Sequence, residues 1–255
     1  MRPLYVTALV AAATWEAWRW YLARVTAAPD EAAALVLTVV FLTAVGLSRR
    51  GQRTTQGAGK TGAAPPMPLL SIAGLLLLYA ASYAVLPPIV RAAIAISTTL
   101  YCLHVALLKE RPPFAFWGLV ALSLPVLPSL QFVLAYPMRI VSAMLTVGLL
   151  RLQGLGIERQ GTFLVWQGEM VQFDAPCSGV SMLWAGLLLT LLGCVLLRLS
   201  PARMLIGLAA ALALAVAGNA LRAASLFYVE AGLVADAPAW WHDGIGLAAF
   251  ALSSA

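Results

Sequence analysis

Long apolar runs alternate with short polar joints along the chain. A helix rises about 1.5 Å per residue and the hydrocarbon layer is about 30 Å thick, so a run of roughly 20 mostly apolar residues is the length of a membrane span. The pattern predicts spans at residues 4–21, 32–47, 67–86, 89–108, 114–135, 179–197 and 204–227, with a short apolar tail at 244–255. Pro87-Pro88, Pro112-Pro113 and Pro201 mark joints, while Pro125 and Pro128 are expected to bend the fifth span. Trp15, Glu16, Trp18, Arg19 and Trp20 interrupt the first run and no small-residue cleavage site follows, which predicts an uncleaved first helix rather than a signal peptide. The tail offers about 18 Å of helix against the about 30 Å a span needs. Either the chain is truncated there or its last helix ends within the bilayer.

Charge orients these spans. The basic loop at 48–66 holds Arg49, Arg50, Arg53 and Lys60 and no acid, which assigns it to the cytoplasm. Alternation then puts Lys109, Arg111, Arg198 and Arg203 on the same side, and Asp30, Glu31, Glu158, Glu169, Asp174, Glu230, Asp236 and Asp243 opposite. Segment 136–178 becomes extracytoplasmic. In its first part, 138–155, Arg139, Ser142, Thr146 and Gln153 recur at helical spacing, interrupted by Arg151, as in an amphipathic helix lying at the interface. After Gly154 and Gly156 the period becomes two through 162–166 and 170–174, joined across Gln167-Gly168, which reads as a β-hairpin. The expected fold is one integral-membrane domain over 1–255, an all-α polytopic bundle of about 7–8 spans with an extracytoplasmic amphipathic helix and a small hairpin.

Composition narrows the class. Of 255 residues, 62% are hydrophobic and 10% charged, against about 45–50% and about 25% in soluble domains. Disordered, collagen-like, coiled-coil and disulfide-scaffold chains are excluded by the same figures. The net charge of +6 is spread between apolar runs, where it orients helices and argues for the lipid bilayer, not nucleic acid, as partner. Cys102, Cys177 and Cys194 read as free thiols, and two histidines, His104 and His242, leave a metal site without ligands. His104 reads as a packed or interfacial residue, and Gly154-Leu155-Gly156 as a turn, since no Lys-Ser or Lys-Thr follows.

Three side chains fall in one extracytoplasmic layer. Cys177 precedes Ser178-Gly179 at the mouth of the sixth span, where free N–H groups and the helix dipole favour a thiolate. Arg222 follows Arg203 by 19 residues, or roughly 28 Å of helix. His242 and Asp243 begin the last apolar run. A thiol, an imidazole and a guanidinium supply nucleophile, proton carrier and oxyanion partner for acyl transfer, with no cofactor required. The competing reading of Arg222 is structural, as a partner of Glu230 or of a lipid phosphate, or as an arginine snorkelling to the interface.

The blocks Ala175-Pro176-Cys177-Ser178-Gly179, Asn219-Ala220-Leu221-Arg222 and His242-Asp243-Gly244-Ile245-Gly246 resemble, in order and spacing, the signatures of the exosortase/archaeosortase family. The resemblance extends upstream to Tyr136-Pro137 and covers about the last half of the chain. It implies a membrane-embedded cysteine protease and transpeptidase of the inner membrane. Its partners would be membrane-anchored proteins with a C-terminal sorting tail, typically Pro-Glu-Pro followed by a span and a basic cluster. It implies Cys177 as nucleophile, Arg222 as stabiliser of the carbonyl or oxyanion and His242 as general acid/base, with Asn219 and Ser178 at the substrate. Two rival functions use the same polar layer: a non-enzymatic component of polysaccharide export or assembly, which needs no thiol, and an acyltransferase acting on a lipid or glycan.

Overall fold

The computed structural model describes residues 3–27, 33–55, 69–172, 179–234, 238 and 240–254. These form ten helices and a three-stranded antiparallel sheet, divided into two compact units, Met1–Val126 with Leu191–Pro201, and Leu127–Thr190 with Ala202–Ala255.

In the first unit α1 (Pro3–Ala13), α2 (Trp15–Ala27), α3 (Ala33–Thr55), α4 (Leu69–Ser82) and α6 (Phe114–Leu122) pack around α5 (Pro88–Leu108). Ala92, Ala95 and Ala106 of α5 are buried, and such small residues let helix backbones approach closely. The single first span expected from the pattern is instead two helices. They part at Thr14, whose hydroxyl donates to the Val10 carbonyl at 2.9 Å and so competes with the backbone ladder. The helix expected at 32–47 runs on to Thr55, so residues 48–55 of the basic segment are helical rather than loop.

The expected fifth span is also two helices, because α6 stops at Leu122 and α7 (Leu127–Leu152) starts afresh. Pro125 has no N–H to give and disfavours helical backbone at Leu124, while Pro128 fits the opening turn of a new helix. A neighbouring helix takes up one group at the break: the Tyr21 hydroxyl donates to the Ser123 carbonyl at 2.7 Å.

The second unit corrects the interfacial helix. Residues 138–152 continue α7 without a boundary at Tyr136-Pro137, and Pro137 lies inside the helix. Ser142 and Thr146 are buried against α9 (Pro201–Glu230), so part of the polar stripe faces protein, not the water interface. A polar side chain in a membrane helix is costly against lipid and turns inward. Arg151, which interrupted that stripe, donates from Nε to the Ile157 carbonyl at 2.8 Å.

The hairpin forms with the expected turn. Strands β2 (Phe163–Trp166) and β3 (Glu169–Gln172) pair antiparallel across Gln167 and Gly168, whose φ values of 53° and 85° suit a type I′ turn. A further strand, β1 (Glu158–Gln160), pairs with β2. Leu164 and Ile157, both fully buried, seat the sheet on Leu150 of α7 and Phe227 of α9. Past the sheet come α8 (Val180–Leu197), α9 and α10 (Trp241–Ser254). Gly186 and Gly207 face Ala211 and Thr190, so α8 and α9 meet through small residues.

Among the described residues, α5, α7, α8 and α9 are long and apolar enough to cross a membrane. Phe132, Val133, Met144 and Leu145 on α7, with Leu205, Ile206 and Leu214 on α9, are exposed. So much large apolar surface suits lipid and not water. The chain is a mostly helical, polytopic membrane protein.

Candidate functional site

Helix α9 carries the site. It runs 30 residues without a break, about 45 Å, and its inward stripe of Ala211, Ala215, Gly218 and Ala223 leaves room for close neighbours. Asn219 interrupts the stripe at 1% exposure. Its Nδ2 donates to the Ser142 hydroxyl of α7 at 3.0 Å, and one turn along α7 the Thr146 hydroxyl donates to the Ala220 carbonyl at 3.2 Å. The pair fixes α9 against α7 and holds the Asn219 carboxamide on α7.

Gly179 lies on the carboxamide from the other side. Its φ is +76°, and a Cβ built there would stand 2.8 Å from Cγ, 3.0 Å from Cβ and 3.1 Å from Nδ2 of Asn219. Both the conformation and the close approach require glycine. Its carbonyl accepts the Leu183 N–H at 2.9 Å as α8 begins.

Arg222, three residues on, turns to a different neighbour. A Cβ at Gly246 of α10 would stand 3.2 Å from its Nε, 3.4 Å from Cζ and 3.5 Å from Nη2, so bare α10 backbone lies along the guanidinium. Nε is buried without a hydrogen-bond partner, and among the described residues no carboxylate pairs with Arg222. The proposed structural partner, Glu230, is exposed near the far end of α9. His242 precedes Gly246 by four residues within α10 and so shares its face, one turn nearer the helix start. That start is set by the N–H groups of Trp241 and Gly244, which donate to the carbonyls of Pro238 and Trp240 at 2.9 and 2.8 Å.

An open cleft of about 310 Å³ lies between α7, α9 and α10, lined by Leu149, Leu221, Ser225, Trp241 and Ile245, with Tyr228 and Gln153, and Arg222 is not part of its lining. Tyr228 donates its hydroxyl to Gln153, and Phe227 meets Trp166 of the sheet edge-on at 5.9 Å between ring centres.

Of the residues expected at the site, the structure therefore places Asn219 and Arg222 on one helix with separate neighbours, and gives His242 a backbone position. The side chain of His242, and all of Cys177 and Ser178, lie outside the described residues. Ser142, Gly179 and Gly246 join the site as contacts that the pattern did not single out. Ser142 stood in the polar stripe, and the two glycines stood within the signature blocks.

A family model described as Transmembrane exosortase (Exosortase_EpsH) matches residues 26–255. This chain belongs to the transmembrane exosortase family. No curated protein and no solved structure matches it. The match reaches upstream of the last-half resemblance and includes most of the first unit, so the exosortase likeness is not confined to the three signature blocks.

Proposed function

We propose that this exosortase is a cysteine peptidase or transpeptidase that cleaves the C-terminal sorting signals of membrane-tethered proteins, through a thioester on Cys177. The observation that carries the reading is the guanidinium of Arg222, held against α10 one turn from the His242 position, with a buried Nε that no carboxylate among the described residues neutralises. A cation with no counter-ion among the described residues is suited to negative charge that arrives during reaction. Cys177 lies two residues before Gly179, which touches Asn219; two peptide units span at most about 7 Å.

The chemistry runs in two stages. His242 takes the Cys177 proton, the thiolate attacks the scissile carbonyl, and the C=O electrons move onto oxygen, where Arg222 stabilises them. Collapse of this adduct breaks the C–N bond, and the imidazolium gives its proton to the leaving amine. Water or an acceptor amine then attacks the thioester, losing its proton to His242, and Cys177 leaves as thiol. Ser178 would hold the substrate backbone beside the nucleophile, while Asn219, buried between Ser142 and Gly179, would position the turn that leads from Cys177 into α8.

In this reading the chain crosses the inner membrane about 7–8 times, the sheet at 158–172 and the site face the extracytoplasmic side, and 48–66 faces the cytoplasm. The test is co-expression with a precursor bearing a Pro-Glu-Pro tail. Cys177→Ala is expected to abolish processing while the protein accumulates normally. Processing at the wild-type rate would overturn the mechanism.

A further inference from the structure

We propose that the cleft between α2, α4 and α5 in the first unit is a binding site for the phosphate of an anionic phospholipid. The cleft holds about 250 Å³ and is lined by Glu16, Arg19 and Trp20 of α2, Tyr79 of α4, Tyr83, and Arg91 of α5.

Its charges do not balance internally. Glu16 is committed to Arg19, Oε2 to Nη2 at 2.9 Å. Arg91 stacks its guanidinium carbon 4.4 Å from the centre of the Tyr83 ring, its Nε is buried without a hydrogen-bond partner, and among the described residues no carboxylate pairs with it. One cation is left over, the complement of a single phosphodiester charge.

Depth and surroundings identify the source of that phosphate. Arg91 lies in the first turn of α5, and the 21 residues of that helix end before Lys109, a length of about 31 Å that matches the hydrocarbon layer. Arg91 therefore stands at headgroup level. Trp20 and Tyr83 are the amphipathic rings that favour the same level. Leu77 and Leu78, deeper on α4 than the Tyr79 of the cleft, are exposed at 71% and 52% and offer acyl chains a surface that a soluble acidic peptide would not use. The guanidinium takes the phosphate oxygens, and the tails run down the exposed face of α4.

The test uses the full chain purified in a neutral detergent and read by native mass spectrometry, with short-chain phosphatidylglycerol, the matching phosphatidylcholine, inorganic phosphate and tetraglutamate as probes. Phosphatidylglycerol is expected to bind as one adduct, about tenfold tighter than phosphatidylcholine and far tighter than inorganic phosphate, with Arg91→Gln removing about that preference. Glu16→Gln frees Arg19 and is expected to tighten phosphatidylglycerol binding severalfold, a gain that misfolding does not produce. Equal binding of the two lipids, equal saturation by free phosphate, retention of the preference in Arg91→Gln, or weaker binding by Glu16→Gln would each overturn the proposal. Tetraglutamate bound where phosphatidylglycerol is not would reassign the cleft to an acidic peptide.

Discussion

At the scale of single residues, Asn219 is hemmed in by a hydroxyl on one side and a glycine on the other. Gly179→Ala sets a methyl group 2.8 Å from Asn219 Cγ and holds an L-residue at φ +76°, a conformation that alone costs about 1 kcal/mol. Precursor processing by this variant is expected to fall about tenfold or more, measured against the amount of protein in the membrane. Ser142→Ala leaves the Asn219 Nδ2 donor without that acceptor; it should destabilise the detergent-solubilised protein by about 1 kcal/mol, seen as a lower unfolding temperature. Arg222→Lys substitutes a compact ammonium for a planar fork, and activity is expected to drop about tenfold or more with expression unchanged. Arg222 was legible because a charge inside an apolar run stands out. Gly179 and Gly246 were not, since a glycine adds nothing to a hydrophobic pattern and its role appears only when another helix presses on it.

At the scale of elements, α7 shows where periodicity stops being informative. A polar stripe says that one face of a helix meets something polar. It does not say whether that is water, as the interfacial reading supposed, or Asn219 and a backbone carbonyl on α9. Prolines misled for a related reason: Tyr136-Pro137 read as a boundary, yet a membrane helix tolerates an internal proline when neighbours supply the lost contacts. The hairpin was readable from its alternation and its Gln167-Gly168 turn. Strand β1 was not, because Glu158-Arg159-Gln160 is polar throughout and exposed on both faces. Gly168 sits at φ +85°, so Gly168→Val should strain the turn by about 1 kcal/mol or more. Limited proteolysis in detergent is expected to cut the hairpin of that variant faster than wild type.

At the scale of the whole molecule, the apolar runs identified a polytopic membrane protein, but not the partition of the runs into helices. Thr14 and the Pro125/Pro128 pair divide two expected spans, and among the described residues four helices are both long and apolar enough to cross a membrane. Orientation is testable by labelling. In a Cys177→Ala background, an impermeant thiol reagent added to intact spheroplasts is expected to modify Gly168→Cys and to spare Lys60→Cys; the reverse result would invert the topology.

The bare backbone of α10 at Gly246 gives Arg222 a flat wall on one side. A planar cation beside a flat wall keeps its tilt yet can shift along it. In the proposed reaction the oxygen of the attacked carbon moves by a fraction of an ångström as the centre passes from trigonal to tetrahedral, and a sliding guanidinium would follow that oxygen without turning away. A side chain at 246 would pin the cation to a single stage of the reaction.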